Sequence, residues 1–189
     1  SVVCPENARG TFVDERDGQV YKYTTIGDQV WMAQNLNYAS EYSTTNDSLK
    51  DCAECGLWYG LSKGASNGMD LIDTVCPVGW KVPTEEEWEK LFSSVGGRSK
   101  AMKILLSENW VGKFEGQTNE CGFDVIAASD VQIGDYVHYS RGHSLFWTHT
   151  ETRPTYMKIV HFDENPIRIR YEEGWTNGYY SIRCIKDTK

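Results

Sequence analysis

Polar and apolar positions alternate with a period of two toward both ends of this chain, and a helical spacing is clearest only near the middle. Val20–Ile26 and Gln29–Ala33 are rich in strand formers, and Gly27-Asp28 between them is a two-residue turn signal. Asp17-Gly18 marks another turn just ahead of the first strand. From Asn37 to Cys55 the composition turns to Ser, Thr, Asn and Asp, which predicts a long polar loop. After a short aromatic patch at Trp58-Tyr59, Gly60 to Gly68 continues in the same style. The helical spacing begins at Pro83-Thr84-Glu85-Glu86-Glu87-Trp88, where Thr84 and Glu87 stand three apart as a capping box. Three glutamates in that first turn suit the positive end of the helix dipole. Trp88, Leu91, Phe92 and Val95 then form one apolar stripe, and Gly96-Gly97 stops it. A second short helix is predicted over Ser99–Ser107, with Met102, Leu105 and Leu106 inward.

Beyond Trp110 the period of two returns. Strands are predicted at Phe123–Ala127, Leu145–His149, Tyr156–Phe162 and Ile167–Tyr171, the last two joined by the turn Asp163-Glu164-Asn165-Pro166. A final strand is predicted over Tyr179–Ile185. Strands, then two helices, then strands make an α+β order rather than alternating βαβ units, and 189 residues suit a single domain spanning 1–189.

Composition narrows the function classes. Aromatics are 13% of the chain, with seven Trp and eleven Tyr, enough to fill a core and still supply flat contact surfaces. A net charge of −8 argues against a nucleic-acid partner and against an electrostatic hold on anionic lipid. No apolar run approaches the roughly 20 residues of a membrane-spanning helix, so no membrane insertion is expected. The chain opens at Ser1 rather than Met and is expected to be a processed product, so a missing leader carries no weight. Cys4, Cys52, Cys55, Cys76, Cys121 and Cys184 are even in number and dispersed, which predicts disulfides formed in an oxidising compartment. Zinc would want two close pairs, and only Cys52 and Cys55 have that spacing. About fifteen pairings of six cysteines remain open at this point.

Several motifs carry a resemblance to a known family. Gly27-Asp28-Gln29-Val30-Trp31-Met32-Ala33-Gln34-Asn35-Leu36 is followed in order by Cys76-Pro77-Val78-Gly79-Trp80-Lys81-Val82-Pro83-Thr84 with Glu87-Trp88. Gly122-Phe123, Phe146-Trp147-Thr148 and Ser181-Ile182-Arg183-Cys184 complete the set. Together these resemble the Fibrobacter succinogenes major paralogous domain over roughly Asp14 to Asp187. The resemblance implies a secreted or surface-attached bacterial protein. Val82–Trp88 is also similar to a helix of the formylglycine-generating enzymes, and that wider likeness implies a C-type-lectin-like fold. The implied fold has two short helices packed on antiparallel sheets, with long loops on a ligand face. It would also bring Cys76 to Cys184, leaving Cys4, Cys52, Cys55 and Cys121 to pair among themselves. Two departures stand out. Lys81 replaces a usual His, and Cys55 stands where an aromatic is expected, implying an extra or rearranged disulfide.

No catalytic constellation is legible. Formylglycine-generating enzymes use two nearby C-terminal cysteines, and here only Cys184 follows Cys121. Gly-x-Ser-x-Gly and His-Glu-x-x-His are both absent. His138, His143 and His149 near Asp135 are too loosely spaced to predict a metal site, and no cofactor is expected. Asp163–Pro166 and Trp175-Thr176-Asn177 echo the calcium-dependent lectins in composition but in the wrong order.

The expectation is therefore a non-enzymatic binding module that recognises a polysaccharide or surface glycoprotein. Its contacts are expected at Tyr136, His138, Tyr139 and Arg141 in one loop and at Trp175, Asn177 and Tyr179 in another. Trp175 and Tyr180 stand equally as core residues, since large aromatics are mostly buried. Trp31, Trp80, Trp88 and Trp147 are assigned to the core. The rival readings are a structural module docking to another protein or fibre subunit, and an enzyme of the formylglycine-generating type.

Overall fold

The computed structural model describes residues 3–45, 52–61, 69–110, 115–127, 130–133, 136–139, 142–164, 166–175 and 177–189, with the side chains of 53, 69, 130–133 and 136–139 outside that set. The first strand, β1 (Arg9–Val13), pairs with β2 (Val20–Ile26), and β2 pairs with β3 (Gln29–Met32). Ile26 faces Gln29 across Gly27-Asp28, where Gly27 takes a φ of 61°. The two-residue turn expected there is the turn that forms.

Two short strands follow, β4 (Ser43–Thr44) and β5 (Trp58–Gly60), and then α1 (Met69–Thr74) and β6 (Trp80–Lys81). Helix α2 (Glu85–Ser94) starts as its sequence dictates. The Glu87 N–H donates to Thr84 Oγ1 at 3.2 Å, and the Thr84 N–H donates to the Glu87 carboxylate. Lys81 forms an ion pair with Glu87 at 2.6 Å. Helix α3 (Arg98–Leu105) buries Ala101, Met102 and Leu105.

The C-terminal half supplies β7 (Asp130–Ile133), β8 (Tyr136–Tyr139), β9 (His143–Arg153), β10 (Tyr156–Glu164), β11 (Ile167–Glu173), β12 (Gly178–Tyr180) and β13 (Ile185–Lys186). Three sheets result, in the orders β1-β2-β3-β13-β6, β11-β10-β9 and β4-β5-β12-β7-β8, with every ladder between these strands antiparallel.

This architecture overturns the α+β, C-type-lectin-like expectation of two helices on antiparallel sheets. Among the described residues there are thirteen strands in three sheets, and the helices are only six, ten and eight residues long. The fold is β-rich. The difference arises where short strands are embedded in polar or mixed sequence. The predicted loop before Cys55 contains β4, and the aromatic patch after it is β5. Strands of two to four residues carry too little alternation to register in a sequence pattern.

Two further expectations are corrected. Phe123–Ala127 contributes only a bridge between Val125 and Leu106, because Gly122 and Asp124 both take positive φ and break the extended chain. The Asp124 N–H donates to Asn119 Oδ1, and Asn119 Nδ2 donates back to the Asp124 carboxylate, which holds that kink. The predicted last strand also divides. Tyr180 lies in the second five-stranded sheet, Ser181 bridges Phe146 of β9, and Ile185 pairs with Trp31 and Lys81 in the first sheet. One short C-terminal segment thus touches all three sheets.

Arg183 sits at the centre of that segment and is wholly buried. Its guanidinium donates to Asn35 Oδ1 and to the carbonyls of Met32, Phe123 and Asp124. Burial pulls its pKa down to about 9, against a weaker opposing pull from Asp124. Three disulfides are present: Cys76–Cys184, the expected pair, Cys4–Cys121, and the local Cys52–Cys55. Cys55 is thereby the extra disulfide partner that its unusual position implied.

Candidate functional site

The β9–β10–β11 sheet has two unlike faces, and the site residues follow from that division. Phe146, Val160, Phe162 and Ile169 point into the core beneath α2 and α3. The alternate positions Leu145, Trp147 and Ile159 join a second apolar cluster that includes Tyr180. Trp147 is fully buried, donates its indole N–H to the Tyr59 carbonyl, and meets the Tyr180 ring edge-on at 4.7 Å.

Upon that platform the chain turns between β11 and β12. Gly174 crosses Trp147 so closely that a Cβ there would lie 2.2 Å from the indole ring. A Cβ at Gly178 would lie 2.7 Å from the Tyr180 hydroxyl. Glycine is therefore demanded at both ends of the turn. Between them the Trp175 N–H donates to Tyr180 Oη at 3.2 Å, and the Gly178 N–H donates to the Trp175 carbonyl at 2.9 Å. Burial first, and Glu172 nearby, push the Tyr180 phenol up to about 12 despite the bond from Trp175. The phenol stays neutral and keeps its place in the turn.

The result is a tryptophan held out on a fixed backbone. Trp175 is 60% exposed, whereas Trp31, Trp58, Trp88, Trp110 and Trp147 are buried and Trp80 is half-buried against Phe12. The core assignment of Trp31, Trp88 and Trp147 agrees with this, and Trp80 sits at the core's margin. Asn177 beside Trp175 is exposed, and Tyr179 is half-buried, its ring packed over Gly60 of β5. Tyr180 is core, so the two aromatics whose places the sequence left open separate cleanly.

The other expected contact group is placed differently. Tyr136, His138 and Tyr139 lie in β8 at the edge of the second five-stranded sheet rather than in a loop, paired with Ile133, Val131 and Asp130. Their side chains, and Asp135 and Arg141 altogether, lie outside the described residues. Trp175 and Asn177 precede β12, and Tyr179 lies in it opposite Gln132 of β7.

The histidines considered as metal ligands do not gather as a trio. His149 lies 3.6 Å from Asp73. His143 instead meets two residues of β10, His161, which the sequence pattern did not single out, and Asp163, which it placed in a turn. His143 opposes Asp163 directly in the ladder, and His161 shares the face of Asp163 two residues away. A His-x-Asp pair in a strand is the signal that could have found them, but only once the β9–β10 register is known. That register contains a shift near Met157, which hides it from the sequence.

Among the described residues, two open concavities lie elsewhere on the surface. One of about 480 Å³ is lined by Arg9, Lys22, Tyr23, Asn119 and Asp124, and one of about 420 Å³ by Arg16, Tyr38, Glu41 and Tyr42. In the second, the Arg16 guanidinium stacks on Tyr38 at 3.7 Å and is anchored by the buried Asp14 carboxylate at 2.8 Å.

No curated protein and no solved structure matches the chain at a significant level. A family model does match, described as the Fibrobacter succinogenes major domain and covering residues 24–186. That match takes in the Trp31, Trp80–Trp88, Trp147 and Arg183–Cys184 motifs around which the three sheets are built, and the chain belongs to the Fibrobacter succinogenes major domain family.

Proposed function

We propose that this chain is a non-enzymatic recognition module of the bacterial exterior, binding a polysaccharide or surface glycoprotein through Trp175. The observation that carries the reading is the exposure of that one indole, on a turn fixed by Tyr180, in a chain that shelters its six other tryptophans. Leaving a large aromatic exposed forgoes up to about 1.5–3 kcal/mol of burial, which a partner covering the indole would recover. A flat ring suits the C–H face of a sugar, and the exposed Asn177 amide beside it supplies both a donor and an acceptor for hydroxyls. Ligand contact on a preordered turn costs little conformational entropy. The three disulfides accord with an oxidising setting, and no helix among the described residues is long and apolar enough to cross a membrane.

The test is a glycan array and a pull-down on insoluble cellulose with the wild-type chain and Trp175→Ala. Sugar binding with a change in tryptophan emission, both lost in the variant, is the expected result. Glycan binding that survives in the variant would remove Trp175 from the site. No glycan binding, with capture of a protein or fibre subunit instead, would favour the assembly module.

A further inference from the structure

We infer that His143, His161 and Asp163 form a binding site for a divalent transition-metal ion of the zinc class, on the face of the β9–β10–β11 sheet that also carries Leu145, Trp147 and Ile159. His143 Nδ1 and His161 Nε2 face each other at 2.7 Å, and an Asp163 carboxylate oxygen lies 3.4 Å from the same His143 nitrogen. The three donor atoms all fall within 4.8 Å of one another. At 2.7 Å the two imidazole nitrogens share one proton in a hydrogen bond, and an ion would take the place of that proton as the gap opens. Ligands at zinc distances around a tetrahedral ion stand about 3.3 Å apart, within small side-chain rotations of this arrangement.

The surroundings match what a metal-bound histidine needs. The second ring nitrogen of His161 lies 3.4 Å from the Glu172 carboxylate, and Arg170 Nε and Nη2 lie 3.3 and 3.2 Å from the same nitrogen while Nε pairs with Glu172 at 2.7 Å. With its N–H given to Glu172, that carboxylate serves as the outer-shell partner and Nε2 is left to ligate. His161 and Asp163 are only 5% and 2% exposed, while His143 is partly open and provides the approach.

Ligand type chooses the ion. Arg168 and Arg170 lie 3.7 and 3.6 Å from Asp163, and Arg170 pairs with Glu172 at 2.7 Å. Calcium wants about six to eight oxygens, and this site offers two nitrogens and one carboxylate, which suits zinc-class ions. An ion there would pin β9 to β10 and keep a coordination position open. The inference is independent of the role given to Trp175.

The experiment uses the full chain, stripped with EDTA, dialysed and titrated with zinc chloride against a chromophoric chelator, with calcium chloride in parallel. Expected are one zinc per chain, a higher unfolding temperature with zinc, and no calcium response. His143→Ala and Asp163→Asn should each weaken zinc binding by more than the roughly 10-fold that losing an outer-shell partner costs. His149→Ala should bind zinc as the wild type does. Nitrogen-15 imidazole spectra of the wild-type chain give a readout that needs no variant to fold, and zinc should shift Nδ1 of His143 and Nε2 of His161. Absence of zinc binding by the wild type, undiminished binding in His143→Ala, or shifts confined to other histidines would overturn the assignment.

Discussion

Trp88 and Trp175 are the same side chain put to opposite uses. Trp88 stands in the first turns of α2 and is fully buried, with Trp31 at 4.7 Å, Phe146 at 5.5 Å and Phe92 at 5.9 Å between ring centroids. Its position is fixed by side chains on every side. The Trp175 backbone is held by the Tyr180 hydroxyl and the Gly178 N–H, and the residue is 60% exposed. Packing that consumes a ring leaves nothing for a ligand, whereas a backbone anchor sets the residue in place and leaves much of its ring open.

The largest expected effect tests the buried member. Trp88→Ala should destabilise the chain by about 3–5 kcal/mol, read from urea denaturation, since it removes a ring shared by α2, β3 and β9. Trp88→Phe should cost far less. The Trp88 indole N–H is buried without a hydrogen-bond partner among the described residues, so its removal leaves no broken bond. A Trp88→Phe loss as large as that of the alanine variant would mean that the N–H has a partner after all.

Next is the start of the helix that carries Trp88. Thr84→Ala should cost about 1 kcal/mol through loss of the cap, with sugar binding unchanged in the folded protein. Weakened binding in a fully folded Thr84→Ala variant would join the two regions that the structure keeps apart.

The anchor of the exposed member comes third. Tyr180→Phe keeps the ring against Trp147 and deletes the acceptor for the Trp175 N–H, at a cost of about 1 kcal/mol. Its characteristic sign is looser Trp175, seen as lower fluorescence anisotropy. The pH dependence gives a second reading. The Tyr180 phenol titrates at about 12 when folded and near 10 when unfolded, so the native state holds its proton more tightly. Its contribution is complete below about pH 10 and is lost as pH rises toward 12, so Tyr180→Phe should show a shallower alkaline loss than wild type.

The sequence made the Trp88 region legible because each signal there is local. The cap, the spacing of Trp88, Leu91, Phe92 and Val95, and the stop at Gly96-Gly97 all act within one helix. The β2–β3 and β10–β11 hairpins were readable for the same reason, each closed by its own turn residues. The three-sheet architecture was not, because β4, β5, β12 and β13 are two or three residues long and find their partners across the chain. Trp175 lies between these cases. Gly174 and Gly178 mark a turn in the sequence, but that the ring faces outward depends on Trp147 beneath it, which only the folded sheets bring there. His161 was hidden more deeply, since its meeting with His143 depends on a strand register that shifts.

The smallest effect on stability should be the largest on function. Trp175→Ala removes no core contact, because the anchors of its turn are backbone groups that alanine retains. Its unfolding free energy should stay within about 0.5 kcal/mol of wild type, as for surface substitutions that leave caps and cores intact. Trp175→Phe keeps a flat apolar ring of smaller area and should retain part of the sugar affinity that alanine abolishes. The graded series Trp, Phe, Ala in binding, set against a level series in stability, is what a stacking surface produces. A Trp175→Ala loss of 2 kcal/mol or more, measured by urea denaturation, would be of the size found for buried rings, at roughly the lower end of large-to-small core substitutions. Trp175 would then be a packing residue like Trp88, and the contrast between the two would fall.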